Sequence, residues 1–307
     1  MLTKKALLFI ILFTAPLLLN AQSVPDTLIN PQDTVWKSGG IAGLNFSNVG
    51  LSNWAGGGTD MISITGLTLL FADYKTTHMA WENSLDIGYG LVKQGKEDVR
   101  KSDDKLIISS KYGYNATPNL LYTALLDFRT QFDLGYDYNK KEADSVSPLL
   151  ISDFMSPAYL SLGLGMNYKP DEYWQIFVSP LSNRLIIVLN ERLSNQGAYG
   201  VTPGEKVFSQ LGVSANISFI KDIFENVNFR SKLNLFSAYN RISSVVVTSE
   251  TAINMKVNSF INASFNLDII YDDKVMVNRN DGTVGPSTQI RHVIGIGFSY
   301  RFGYEKK

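Results

Sequence analysis

From Trp36 to Phe302 apolar and polar residues alternate with a period of two, the spacing of a strand with two unlike faces. The clearest run is 120–138. Leu120, Tyr122, Ala124, Leu126, Phe128, Thr130, Phe132, Leu134, Tyr136 and Tyr138 share one parity. Thr123, Asp127, Arg129, Gln131, Asp133, Gly135 and Asp137 share the other, with Leu121 and Leu125 as exceptions. The same reading along the chain predicts strands over 36–49, 60–73, 78–93, 104–115, 119–138, 157–169, 173–190, 207–221, 226–240, 244–256, 259–272 and 289–302. Short and long breaks alternate between them, apart from a short break near 241–243 where a long one is due. An even strand count with short turns at one end and long loops at the other predicts an all-β fold, an antiparallel transmembrane β-barrel of about 12 strands. A secreted sandwich would turn its apolar faces inward, and alternation alone does not separate inside from outside. Strands longer than the roughly three to ten residues usual in soluble sheets favour the membrane. So do aromatic strand ends and a second face rich in Gly, Ser and Asn.

The N-terminus changes the picture next. Lys4 and Lys5 precede an apolar run from Ala6 to Leu19, and Asn20-Ala21-Gln22 offers a small residue before a cut. That order predicts a cleaved secretory signal peptide over 1–21. The run is too short for a bilayer-spanning helix, which needs roughly 20 residues. Residues 22–35, with Pro25 and Pro31, are expected to form a flexible periplasmic lead-in. The barrel follows over 36–302, with a short tail over 303–307. The final strand carries Ile294, Ile296, Phe298, Tyr300 and Phe302 on one parity. It resembles the C-terminal signal read by the barrel-assembly machinery, with the tail as a departure. The expected location is the cell outer membrane. Its lipid bilayer and the assembly machinery are the expected partners, with other outer-membrane proteins as a further class.

Composition fits. The chain has 28 basic and 28 acidic residues and no net charge, which argues against a nucleic-acid partner. Charged residues make up 18 %, below the roughly 25 % of soluble domains. Tyr (15), Phe (17) and Gly (24) are plentiful, as lipid-facing strands require. A lipid-facing Arg or Lys near the midplane costs about 2–4 kcal/mol, so charges on the polar parity are expected to face the lumen. On this basis Glu82, Asp86, Lys111, Asp127, Arg129, Asp133, Arg230, Lys232, Asp268 and Arg301 are candidate lumen-lining residues, with Asp137 and Lys256 on the same parity. A barrel of about twelve strands falls between those filled by side chains and those left open, so strand number does not say whether the lumen conducts.

One stretch has a family likeness. Gly43-Leu44-Asn45-Phe46-Ser47-Asn48-Val49-Gly50-Leu51-Ser52-Asn53-Trp54-Ala55-Gly56-Gly57-Gly58 resembles the N-terminal signature of an uncharacterised outer-membrane barrel family common in Bacteroidota. Ser179-Pro180-Leu181 with Gly197-Ala198-Tyr199-Gly200-Val201 also resembles that family, as does Asn254-Met255-Lys256-Val257-Asn258 with Ile269-Ile270-Tyr271-Asp272-Asp273. The family is labelled a domain of unknown function, so the likeness implies a barrel in the outer membrane and no reaction.

Candidate chemistry is sparse. The chain has no Cys, and its two histidines, His78 and His292, fall near predicted strand ends. No Gly-x-Ser-x-Gly motif accompanies them, so no catalytic residues are assigned and an enzyme is not expected. Nor do Asp272-Asp273 and 278–282 carry the ligand spacing of a calcium loop. The glycine run 56–58 is followed by no Lys-Ser/Thr and reads as a turn rather than a phosphate cradle. No metal or cofactor site is therefore assigned. Three function classes follow: a small porin-like or substrate-specific channel, a non-conducting structural or accessory subunit of a larger assembly, and, last, a membrane-embedded hydrolase.

Overall fold

The computed structural model describes residues 34–50, 59–141, 147–258, 261–279 and 283–304. The expected signal peptide and all but the end of the lead-in lie outside these residues, as do Trp54 and the glycine run. Strands β1 (Thr34–Val49), β2 (Met61–Thr76), β3 (Met79–Gln94), β4 (Arg100–Thr117) and β5 (Leu120–Thr130) come first. A separate hairpin follows, of β6 (Gly135–Lys141) and β7 (Pro148–Ser152). Then come β8 (Ala158–Tyr168), β9 (Trp174–Ile187), helix α1 (Glu191–Asn195), β10 (Val207–Phe224), β11 (Val227–Ala238), β12 (Val245–Lys256) and β13 (Ile261–Tyr271). The two-residue strands β14 (Val277–Asn278) and β15 (Val284–Gly285) precede β16 (Gln289–Tyr304).

Twelve of these strands form one closed antiparallel barrel in the order β1-β16-β13-β12-β11-β10-β9-β8-β5-β4-β3-β2. Closure comes from β1 pairing with β16, from Ser38 opposite Tyr304 to Asn45 opposite Gly297. Every barrel strand therefore has a partner on each side, although the β1–β16 seam is laddered over only eight of the sixteen residues of each strand.

One ion pair separates inside from outside. Arg129 on β5 binds Glu250 on β12, although β8, β9, β10 and β11 lie between those strands around the ring. Such a pair has to pass through the barrel, so the parity of Asp127 and Arg129 is the inner one. The opposite parity is apolar and faces outward: Leu164 is 56 % exposed, Phe298 68 % and Ile294 76 %. A wall of this kind exceeds any apolar patch that a soluble monomer tolerates. Trp36, Tyr74 and Trp81 cluster beside the β2–β3 turn, with ring centroids 4.9 and 6.4 Å apart. Trp174, Phe219 and Phe229 do the same beside the β8–β9 and β10–β11 turns, at 4.7 and 5.9 Å. These rings stand at the level of an interfacial aromatic girdle. The protein is a β-barrel of the outer membrane. Because the outward parity is fixed, Leu164→Arg at mid-wall is expected to cost about 2–4 kcal/mol of stability in vesicles. Urea-dependent folding into lipid measures this, and a cost near zero would contradict the outward assignment.

Two differences between the sequence pattern and the fold bear on the lumen. The strand expected over 119–138 ends at Thr130, and the chain turns at 131–134 before β6. The Asp104 carboxylate accepts the amides of Phe132 and Asp133 at 2.8 and 2.9 Å, and Asp133 accepts the amide of Leu134. Carboxylates that bind backbone in this way compete with the ladder and bend the chain. The second difference is a one-residue bulge in β9: Gly212 pairs with Ser182, but Ser214 pairs with Ser179. Pro180 sits in it, lacking the N–H that a regular ladder would use. The bulge exchanges the parity of β9, so Gln175, Phe177 and Ser179 face inward below it, and Ser182 and Arg184 above it.

At the long-loop end, Ile186, Val188, Leu193 and Val201 form a small buried core with Tyr159, Tyr199 and Phe208 packed against it. Asn190 caps α1 by accepting the amides of Arg192 and Leu193. Tyr199 donates to the Ile151 carbonyl at 2.6 Å, and burial raises the pKa of its hydroxyl. The ordered loops thus tie β7 to the β9–β10 connection.

Candidate functional site

The candidate site is the inner face of the barrel, where charged side chains meet across the lumen at three levels. Nearest the short turns, Lys169, just past β8, binds Glu82 on β3, with β5 and β4 between them. Lys111 on β4 donates to Gln175 Oε1 on β9 at 3.2 Å, reaching past β5 and β8. At mid-height, Asp127 and Arg129 project from β5 two residues apart. Facing them are Lys232 and Glu250, which are cross-strand partners on β11 and β12. Asp127 pairs with Lys232 at 3.7 Å and Arg129 pairs with Glu250, so the two walls carry the charges in opposite order. At the same level Asp86 holds Lys105 of the neighbouring strand at 2.8 Å. Nearer the long loops, Arg291 on β16 reaches both Asp268 on β13 and Asp103 on β4, each at 2.7 Å.

The four ion pairs of the lower two levels are partly exposed. Side chains in Glu82–Lys169, Asp86–Lys105, Asp127–Lys232 and Arg129–Glu250 are between 26 % and 35 % exposed. A lumen filled by side chains would leave them dry. The wall formed by β5, β8 and β9 is packed more tightly. Phe177 is fully buried on the inner face, and a Cβ added at Gly163 would lie 3.4 Å from its ring. The lumen is therefore filled more completely on the β5, β8 and β9 side.

Another inner pair is dry. Arg184 on β9 binds Asp272, just past β13, at 2.7 Å, with side chains 10 % and 2 % exposed. Gln210 Oε1 accepts a second bond from Arg184 at 3.3 Å. Asp272 also accepts the amide of Lys274, whose ammonium lies 4.4 Å from the Phe208 ring centroid. This pair ties the β13–β16 connection to the β9–β10 wall at the mouth.

Of the sequence candidates, Glu82, Asp86, Lys111, Asp127, Arg129, Lys232 and Asp268 take part in these contacts. Arg230 lies in the same register on β11, opposite Ile220 and Ala252. Asp133 does not join them. Beyond the end of β5 its carboxylate accepts the Tyr89 hydroxyl at 2.8 Å on the outward side. The side chain of Arg301 lies outside the described residues. Sequence reasoning missed Lys105, Glu250 and Arg291, although all three keep the polar parity of their strands. It also missed Arg184, hidden by the bulge, and Lys169, Asp103 and Asp272, which keep the polar parity but lie at the ends of the expected strands or just outside them. Among the described residues no three His, Asp or Glu side chains come together to hold a metal ion. No described helix is long and apolar enough to cross a membrane.

A sequence profile described as a protein of unknown function (DUF3078) matches residues 46–136. That stretch includes part of the Asn-Phe-Ser…Trp-Ala-Gly-Gly-Gly motif, and it supports relationship to an uncharacterised family. No curated protein matches the chain. Among solved structures, the COG4313 outer membrane channel from Pseudomonas putida F1 aligns at 11 % identity and TM-score 0.39, covering 92 % of this chain and 100 % of that one. The translocator domain of autotransporter NalP from Neisseria meningitidis aligns at 9 % identity and TM-score 0.36, covering 97 % and 96 %. The NanC porin aligns at 10 % identity and TM-score 0.36, covering 85 % and 98 %.

Proposed function

We propose that the protein is a narrow outer-membrane channel for small hydrophilic solutes, with its aperture set by the ion pairs that cross the lumen. The observation that carries this reading is the partial exposure of those pairs: charges on opposite walls at the same height keep surface accessible to solvent. Interleaved carboxylates, ammonium groups and guanidinium groups form a polar wall on which a hydrated solute can exchange water for protein contacts. The candidate residues act here as lining, with no catalytic step. We further read β16 as the segment that the barrel-assembly machinery engages, in a family of the Bacteroidota kind.

A second reading rests on the same pairs. If thermal motion never parts them, the barrel conducts nothing and serves as an accessory subunit of a larger assembly. Reversal potentials across a salt gradient separate the two. In a channel, Glu82→Ala removes a lumen carboxylate and leaves Lys169, so selectivity shifts towards anions. Arg129→Ala leaves Glu250 and shifts it towards cations. Unchanged selectivity in both variants, with conductance intact, would show that neither residue lines the path. No conductance in either, with lowered thermal stability, would favour the accessory subunit.

A further inference from the structure

The 131–134 turn, the 152–157 segment and Leu189 form an irregular collar above the outer ends of β5 and β8. These two strands have 11 residues each, whereas β1, β2 and β3 have 16 and β4 and β10 have 18. At about 3.3 Å per residue and a tilt of 35–45°, an 11-residue strand stands roughly 26–30 Å tall, little more than the ~25 Å apolar band of such barrels. The collar thus begins where the hydrocarbon ends. Its exposed side chains are nevertheless apolar but for one: Phe132, Leu134, Phe154 and Leu189 are each more than one-third uncovered, and the exposed Asp133 carboxylate between the first two accepts the Tyr89 hydroxyl.

The polar groups of the collar are turned onto one another. Asp104 faces outward on β4, opposite Tyr89, yet its side chain is only 3 % exposed. It is covered by the amides of Phe132 and Asp133 and by Lys101 Nζ at 2.7 Å. The Phe154 amide donates to Asp153 Oδ1, the Met155 amide to Thr130 Oγ1, and the Leu189 amide to the Met155 carbonyl. Backbone outside regular strands is tolerated next to lipid only when its hydrogen bonds are satisfied internally. A loop bathed in water has no such need.

We infer that this collar is a lipid-contacting surface, seated in the acyl–headgroup boundary of the outer leaflet and continuous with the apolar wall below it. Its partner is lipid acyl chains rather than a second protein. The inference does not depend on whether the lumen conducts.

The absence of native cysteine makes the test direct. Single variants Phe132→Cys, Phe154→Cys and Leu189→Cys are labelled with an environment-sensitive fluorophore and folded into phosphatidylcholine vesicles. Leu164→Cys at mid-wall and Lys206→Cys in an exposed loop serve as references, with heat-shifted gel migration confirming folding. Collar labels are expected to be quenched by lipids carrying a nitroxide near the headgroup and to resist aqueous iodide several-fold better than the Lys206 label. Iodide quenching equal to that of the Lys206 label, without nitroxide quenching, would place the collar in water and overturn the inference. Shielding from both quenchers would overturn it too, in favour of a protein cover. Three collar sites keep the test decisive if one variant fails to fold.

Discussion

Removing both Arg129 and Glu250 as the double alanine variant is expected to raise single-channel conductance several-fold with little loss of stability. The pair spans the lumen at mid-height, so deleting both side chains removes a crossbar and leaves no charge unpartnered. Partly solvated ion pairs contribute only about 0–1 kcal/mol, so the barrel wall should hold without it. Asp127 and Lys232 remain as the neighbouring crossbar, and removing all four should widen the path further. Exchanging the charges, as Arg129→Glu with Glu250→Arg, restores a pair across the same gap but sets each charge beside a like one. The new carboxylate then stands next to Asp127, and the new guanidinium opposite Lys232. The exchange should return conductance only partway. Equal conductance in the original, double-alanine and exchanged proteins would show that this pair does not set the aperture.

The largest effect on stability is expected from Asp272→Ala. This substitution leaves the Arg184 guanidinium buried with Gln210 as its remaining hydrogen-bond partner on that side. Breaking a buried pair from one side costs about 3–5 kcal/mol, far more than the partly exposed pairs below. The loss should be concentrated at the mouth, because Asp272 ties the β13–β16 connection to β9. Limited proteolysis is expected to cut the 273–288 segment faster, with a lower midpoint in urea. Asp272→Asn, which keeps acceptor capacity, should lose less. Arg184→Met with Asp272→Leu removes both charges and should recover most of the stability. If the single alanine variant matches the original in both assays, the pair does not hold the mouth.

The barrel was legible because its dominant constraint repeats at every second residue: one face meets lipid, the other water. Residues such as Leu162 and Leu164 alternating with Ser161 and Gly163 state that constraint locally, and the turn lengths then give strand number and polarity. The pattern misled where local chemistry kept the period without the ladder. Phe132, Leu134, Tyr136 and Tyr138 continue the parity of β5, yet Asp104 captures the amides of Phe132 and Asp133 and sends the chain into a separate hairpin. The Pro180 bulge hides Arg184 by shifting the register a single step. Inner and outer faces were assigned from the energetic cost of charge in lipid, whereas the partners of each charge were not readable. Which carboxylate meets which cation depends on strands far apart in sequence, such as Arg129 and Glu250, brought opposite each other only by closure.

Single-channel recording of the purified mature chain in a planar bilayer shows whether the lumen passes ions. Small, discrete and reproducible conductance steps are expected, rising in the Arg129→Ala/Glu250→Ala protein. Silence from both proteins, once each is shown to be folded and inserted, would contradict a hydrated lumen that passes solutes.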